Sequence, residues 1–478
     1  MDVVIGVDVG TSGARAFAVN RAGVAVARAS QSFSGSSHAP RAGWAEQNPA
    51  LWWEAVAACL RALSGQLGGA HVAALAVDST SGTFVPLDAT HRPLMPAIMY
   101  NDLRAAGLEG EVNAAAGDST ARMGYSFPPA FALVKMAWLA REQPALLAQA
   151  SVLAHAADVL NGHLTGVWDL TDTSNALKTG VDLLTGEWPP FIESLGVPLA
   201  KLPRVVRPAE PFGAITEQAA HDTGLRAGTP VVAGATDGTA SFLASGAHQP
   251  GDWNITIGST IVLRGVDSEL HLDPQGRFYS HRHPDGFWLP GGASNVGGEA
   301  LRRQFGARIP ALDDEAAARL PTALLCYPLV QTGERMPFVH AHAQALMQGT
   351  PVDEAEHFAA LVEGIALVAA WSLREAEALG MPTNGRMYFT GGATHGRNLG
   401  RVLASVLDAP LHVPAEPEAA FGSALLAAGW AWYGGSVSKA QAALIHPDEV
   451  IAPHADWTRV YQDKLGALKD LCRQQNFL

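Results

Sequence analysis

The sequence predicts an α/β protein of two domains, and three observations predict it. Short β-branched apolar runs alternate with amphipathic stretches of helical spacing, the pattern of sheets covered by helices. A strand–turn–strand device rich in Gly, Thr and Ser opens the chain and returns about halfway along it, around residues 252–263. The 478 residues, 48% hydrophobic and 16% charged, supply core material for two domains and lack the composition of disorder.

The elements follow in order. Residues 3–9 are apolar and β-branched, and read as a buried strand ending at Asp8. Gly10, Thr11, Ser12 and Gly13 make a tight turn, residues 14–19 return as a second strand, and 24–29 form a third. Free N–H groups and hydroxyls in such a turn suit phosphate oxygens, and the carboxylate suits the Mg²⁺ that accompanies them. The same pattern suits an ordinary hairpin in which Asp8 caps a turn. Asn48-Pro49 starts a helix over 50–63. Residues 72–77 are a strand that again ends on an acid, Asp78. The hydroxyl-rich turn Ser79-Thr80-Ser81-Gly82-Thr83 follows, and residues 83–87 return as a strand.

Residues 98–100 deliver Asn101, Asp102 and Arg104 at one strand end. Carboxylate beside amide suits a polyhydroxyl ligand, because each OH both donates and accepts. A strand-end turn with a local salt bridge fits equally. Residues 132–141 are an amphipathic helix with Leu133, Met136, Trp138 and Leu139 inward. Residues 158–164 form another helix, and Asp172 or Thr173 caps a short one. Residues 230–235 are a strand with Thr236-Asp237-Gly238 at its end, and a helix-like stretch covers 241–246. The opening device then recurs, with Gly258-Ser259-Thr260 in the turn and no aspartate. The boundary falls in the Gly- and Pro-rich run between Gly228 and Gly251, giving domains 1–232 and 233–478.

In the second half, a strand at 287–289 leads into a Gly-rich loop, Pro290 to Gly298, that opens a helix over 299–305. A long helix covers 358–379. A strand at 387–390 ends in Gly391-Gly392-Ala393-Thr394, and a helix over 398–407 and a strand at 411–413 follow. Residues 416–432 form a helix packed through small residues. Residues 419–438 carry no charge, but the glycines near 434 end them as a buried helix rather than a membrane span.

The net charge of −13 argues against nucleic acid and anionic membrane as partners, since both need basic surface. Three scattered cysteines fit a reducing cytoplasm and neither a zinc motif nor a disulfide framework. No signal-peptide pattern precedes the first strand. His281/His283 and His340/His342 look like metal pairs that share strand faces, but no third ligand is evident, so they take the ordinary structural reading. The 12 tryptophans read as core and interface.

Taken together, these motifs resemble the FGGY family of carbohydrate kinases, related to actin, hexokinase and the heat-shock ATPases. Asp8-Val9-Gly10-Thr11-Ser12 is similar to the family's first phosphate motif, and Gly258-Ser259-Thr260 to the second. Thr173-Ser174-Asn175-Ala176 with Asp182 and Gly186-Glu187-Trp188 resembles its mid-domain stretch. Gly234-Ala235-Thr236-Asp237-Gly238 resembles the segment of its catalytic base, Asn295-Val296-Gly297-Gly298 the nucleotide-side loop, and Gly391-Gly392-Ala393 the adenosine motif. Six motifs in order, over nearly the whole chain, make a specific pattern.

The resemblance implies two domains of the actin-like ATPase (ribonuclease H-like) fold with the active site in a cleft between them. It implies ATP, Mg²⁺ and a small sugar or polyol. Asp237 would be the base and would also touch the substrate and the metal, and Asp8 would hold Mg²⁺. Gly10, Thr11, Ser12, Arg15, Gly258, Ser259 and Thr260 would face the phosphates, and Asn295, Gly297, Gly391, Gly392, Ala393 and Asn398 the rest of the nucleotide. Asp78, Ser79, Thr80, Ser81, Asn101 and Asp102 would face the sugar. Xylulokinases of the family carry Gln-Met-His-Gly where this chain has Ser79-Thr80-Ser81-Gly82, and glycerol kinases an Arg-Glu pair. The segment is more similar to the D-ribulose kinase branch, which points to D-ribulose phosphorylated at its terminal hydroxyl, with D-xylulose and a pentitol as alternatives. A regulator that binds sugar or nucleotide without chemistry is the alternative of another class, and retention of Asp8 and Asp237 speaks against it. A heat-shock-like ATPase would want a peptide-binding domain, and the about 28 residues after Val450 are too few for one. The sequence leaves a homodimer open.

Overall fold

A computed structural model describes residues 1–35 and 38–478. The chain divides into two compact units. One comprises Met1–Ala244, Pro284–Gly286 and Glu418–Ile445; the other comprises Ser245–His283, Phe287–Pro417 and His446–Leu478. The expected break at 232/233 therefore lies twelve residues before the division between Ala244 and Ser245, and the segment Glu418–Ile445 belongs with the first unit.

The first unit is built on a six-stranded sheet, in the order Pro211–Ala214, Pro230–Val232, His71–Ser79, Asp2–Val9, Gly13–Asn20, Ala25–Ser32. Pro230–Val232, His71–Ser79 and Asp2–Val9 run parallel, and the last two strands are antiparallel hairpin partners. The Asp2–Val9 strand reads as a continuous apolar run because both of its faces are covered. Val3, Ile5, Val7 and Val9 join a core with Trp52, Val56 and Leu60 of the Ala50–Gln66 helix. Its opposite face carries Gly6, whose missing Cβ would lie 2.0 Å from the Ala420 carbonyl oxygen of the Ala419–Trp432 helix. Asp8 lies on that same face. The unit also holds a smaller sheet of Glu46–Gln47, Ala97–Ile98, Phe84–Leu87 and Val152–His155, and a pair of Leu170–Asp172 with Arg204–Val206.

The second unit repeats the plan. The seven strands of its main sheet run Tyr279–Arg282, Trp288–Ser294, Ile261–Gly265, Trp253–Ile257, Met387–Thr390, Leu411–Pro414, Pro447–Ile451. Trp253–Ile257 pairs antiparallel with Ile261–Gly265 and parallel with Met387–Thr390, as Asp2–Val9 pairs with its own two neighbours. The repeated strand–turn–strand device is thus a repeat of sheet topology. The Glu354–Ala378 helix is long and apolar enough to cross a bilayer, but 89% of its apolar window is buried inside the fold. Ala419–Trp432, the uncharged stretch, is a helix of 14 residues.

Two local expectations are corrected. The strand Trp288–Ser294 continues through Pro290-Gly291-Gly292, leaving only residues 295–298 as loop. Those glycines serve close strand packing: a Cβ on Gly291 would meet the Leu263 carbonyl oxygen at 2.6 Å, and one on Gly292 the Arg277 carbonyl oxygen at 2.3 Å. The helix expected from residue 241 begins at Asp237, because the Thr236 carbonyl accepts from the N–H groups of Thr239 and Ala240.

Candidate active site

Three aspartates stand at the carboxyl ends of the three parallel strands of the first unit. Asp8 pairs directly with Asp78 in the ladder, Val9 with Ser79, and Ser79 bridges on to Thr236, next to Asp237. Ligands of open α/β sheets gather at this end of the strands. Asp78 is fully buried and accepts a 2.6 Å hydrogen bond from the Ser423 hydroxyl. Burial, with the nearby Asp8 and Asp237 carboxylates, pushes its carboxyl well above the usual range. Burial also raises Asp8, opposed by a hydrogen bond with Asp78 and by Arg15. Asp78, the more deeply buried of the two, is the more strongly raised. Arg15 comes no nearer to Asp8 than 3.9 Å and is itself well exposed. The Gly10–Gly13 turn closes through the Gly10 N–H donating to the Gly13 carbonyl, with Thr11 and Ser12 exposed at its tip.

The turn after Asp78 is held from below by two lysines. Lys135, fully buried, donates to the carbonyls of Gly82 (2.9 Å) and Met99 (2.8 Å), and Lys178 donates to the Ser81 carbonyl at 3.1 Å. The Thr80 hydroxyl is engaged with Thr83. The buried hydroxyls of Ser79 and Ser81 have no protein partner among the described residues. Asn101 is exposed. Asp102 is fully buried and gives both carboxylate oxygens to the N–H groups of Ala45 and Arg104 and to the Arg104 guanidinium. That guanidinium also donates to Glu46 at 2.7 Å and stacks 3.8 Å from the Trp44 ring centre. Asp102 therefore anchors Arg104.

In the second unit, the Gly258 N–H donates to the Thr260 carbonyl across the turn, and the Gly258 and Ser259 carbonyls receive the N–H groups that open the Glu299–Phe305 helix. Gly297 is a packing glycine, since a Cβ there would meet Thr260 Cα at 2.5 Å. Asn295 spends its side-chain amide on the Gly333 carbonyl and its backbone N–H on Glu334. Asn398 is buried and spends its amide on Asp313. Gly391 combines φ 94° with a missing Cβ 2.6 Å from the Ile257 carbonyl oxygen, while Gly392 faces open space and Ala393 is half-buried.

Reasoning from sequence missed Ser423, Lys135, Lys178, Glu46 and Glu334. The signal for Lys135 was present: it falls on the helix face shared by Leu133, Met136 and Leu139. Ser423 lies 345 residues from Asp78, and nothing local marks it.

Among the described residues no group of three or more His, Cys, Asp or Glu is close enough to hold an ion alone, the His281/His283 and His340/His342 pairs included. Asp8 and Asp237 nevertheless fit Mg²⁺ arriving with its phosphate ligands. That ion keeps waters and phosphate oxygens and needs only one or two protein carboxylates. The strand-end carboxylates, with an exposed Arg15 3.9 Å from Asp8, could supply them.

Comparison with known proteins adds independent findings. The models for the N-terminal and C-terminal domains of the FGGY family of carbohydrate kinases match residues 3–244 and 254–432. The erythritol kinase of Brucella abortus (strain 2308) is 30% identical over 467 residues, covering 89% of this chain and 87% of its own. The xylulose kinase of Escherichia coli (strain K12) is 28% identical over 281 residues, 58% of this chain and 57% of its own. The crystal structure of xylulose kinase from Rhodospirillum rubrum superposes with a TM-score of 0.88 at 28% identity, covering 99% of each chain.

Proposed function

This chain belongs to the FGGY family of carbohydrate kinases and is a sugar phosphotransferase with the family's two-domain α/β fold, and from that premise we propose that it transfers the γ-phosphoryl group of ATP to the terminal hydroxyl of a ketopentose, D-ribulose first. The observation that carries the reading is the convergence of Asp8, Asp78 and Asp237 on one end of the sheet, beside a turn whose Ser79 and Ser81 hydroxyls await partners. Hydroxyls that can donate and accept match a polyol chain. An imidazole at residue 81 would offer a bulkier, more selective group.

Phosphoryl transfer needs a positioned hydroxyl, in-line geometry and neutralised phosphate charge. Asp237 orients the acceptor hydroxyl and takes its proton. The N-terminal unit supplies the sugar groups, Asp78, Ser79, Thr80 and Ser81, with Asn101 at the rim and Asp102 acting through Arg104. Thr11, Ser12, Arg15, Gly258, Ser259 and Thr260 receive phosphate oxygens. Gly391, Gly392 and Ala393 admit the nucleoside to the backbone of the C-terminal unit, with Asn295, Gly297 and Asn398 shaping that site from behind. Asp8 and Asp237 would hold the Mg²⁺ that comes with ATP, which would supply charge neutralisation. The three buried, free cysteines, whose thiols burial pushes up to about 11 or 12, suit the cytoplasm.

The test is ADP release over D-ribulose, D-xylulose, pentitols, erythritol and glycerol, with Asp237→Ala beside wild type. D-Ribulose should give the highest kcat/KM, and Asp237→Ala should lose ~10²–10⁴-fold in kcat. A different preferred sugar overturns the substrate, and a fully active mutant overturns the base. The full-length likeness to an erythritol kinase makes a polyol the second reading.

A further inference from the structure

The Asp237 loop is held from the side by a buried polar frame. The Thr236 N–H, one residue before Asp237, donates at 2.8 Å to the hydroxyl oxygen of Ser174, 62 residues earlier in the chain. That hydroxyl gives its own proton to Asp172 Oδ1 at 2.7 Å, which leaves its lone pairs free to face Thr236. Asp172 is itself saturated, accepting also from the Ser174 and Asn175 N–H groups and from the Asn175 side-chain amide. The segment carrying these residues is tied at both ends to one imidazole. His155 Nδ1 lies 2.9 Å from the Thr171 hydroxyl and from Asp158, and Nε2 lies 2.9 Å from the Thr179 hydroxyl. His155, Asp158, Thr171, Asp172, Ser174 and Thr179 are all buried.

We propose that Ser174, oriented by Asp172, is a positioning residue for the reaction: it fixes the Ala235–Thr236 peptide, and with it the backbone leading into Asp237, so that the Asp237 carboxylate is held in line with the acceptor hydroxyl. The inference rests on Asp237 being the base. The Ser174 hydroxyl accepts from the Thr236 N–H, and the helix that begins at Asp237 hangs from the Thr236 carbonyl. Both backbone polar groups of residue 236 are therefore assigned, the N–H to the Asp172–Ser174 frame and the carbonyl to the helix, while its hydroxyl donates to Thr239. Removing the frame's acceptor for the Thr236 N–H loosens the backbone that leads into Asp237. A displaced base slows the chemical step more than it weakens ground-state binding.

The experiment compares Ser174→Ala, Ser174→Thr, Asp172→Asn and Asp237→Ala in the full chain, by kcat and KM for the preferred sugar and for ATP and by thermal melting. Ser174→Ala should lose about tenfold in kcat with each KM within about twofold of wild type, and Ser174→Thr, which keeps the hydroxyl, should recover most of it. Asp172→Asn, which sets an NH₂ donor against the Asn175 amide and so unsettles the side chain that aims the Ser174 hydroxyl, should show the same kcat-only loss and carries the test if Ser174→Ala does not fold. Wild-type kcat in both Ser174→Ala and Asp172→Asn, or a loss expressed only in KM, overturns the positioning role alone. Full activity in Asp237→Ala overturns it together with the base assignment.

Discussion

Gly6→Ala puts a single methyl group where the fold has no room. The new Cβ would stand 2.0 Å from the Ala420 carbonyl oxygen and 2.2 Å from the Ala424 nitrogen, both backbone atoms of the Ala419–Trp432 helix. Carbon needs roughly 3.5 Å, so the helix must lift from the strand by about 1 Å or more, and no flexible side chain can absorb the change. The helix cannot retreat freely either, since a Cβ on Gly422 would lie 1.8 Å from the Ala240 carbonyl oxygen. Overpacking costs about 1–3 kcal/mol where neighbours can adjust, and this clash between two backbones belongs at the upper end, ~3 kcal/mol. Scaled by ~2 °C per kcal/mol for a domain above 200 residues, Tm should fall by roughly 6 °C. The lift also draws Ser423 off Asp78, so activity should fall with it. Differential scanning calorimetry with a parallel ADP-release assay measures both. Gly110→Ala is the control, because nothing lies within 4 Å of its added methyl and it sits in a helix. A Gly6→Ala protein melting within a degree of wild type would refute the close-approach argument.

Two further outcomes follow from buried charges. Burial pulls the Lys135 ammonium down to about 7, partly opposed by Asp102 and reinforced by Lys178 and Arg104. The unfolded chain keeps that proton until about pH 10, so between pH 7 and 10 it binds more protons than the folded chain. The residue thus makes stability rise with pH, by at most ~1.4 kcal/mol per unit. Lys135→Met should lose that share of the slope when urea midpoints are compared at pH 7 and pH 9, and identical slopes would count against it. In the second unit, Lys464 pairs at 2.5 Å with the buried Glu363, which also accepts from Thr322 and Tyr461. Lys464→Met should destabilise by ~3 kcal/mol in urea titration by stranding that carboxylate, and Glu363→Gln/Lys464→Met should recover part of the loss.

What could be read from the sequence was what neighbouring residues decide. An acid at the end of an apolar strand is a local pattern, and Asp8, Asp78 and Asp237 were each found that way; parallel pairing then set them side by side. The repeat was legible because its turn chemistry recurs, and its shared sheet order follows from it. Side-chain commitments across long separations were not legible. Asp102, Asn295 and Asn398 carry the chemistry of ligand groups, yet each spends it on protein partners, and each on a residue far along the chain. A lysine in an amphipathic helix reads as a solvent-facing residue until two carbonyls are found above it, as for Lys135. Glycines in a strand resemble a loop until the neighbouring backbones that demand them are known, as at Gly291 and Gly292.

The return of Glu418–Ile445 to the first unit has a consequence for biogenesis. As the ribosome releases the chain, strand Asp2–Val9 emerges among the earliest residues, but the helix that covers its Gly6 face is made more than 400 residues later. At ~5–20 residues per second, that face waits tens of seconds for its cover. Contacts of such sequence separation, Asp78 with Ser423 among them, also slow folding by their loop-closure entropy. The nascent first unit is therefore an incomplete sheet for most of its synthesis, and a natural client for chaperones that shield apolar surface.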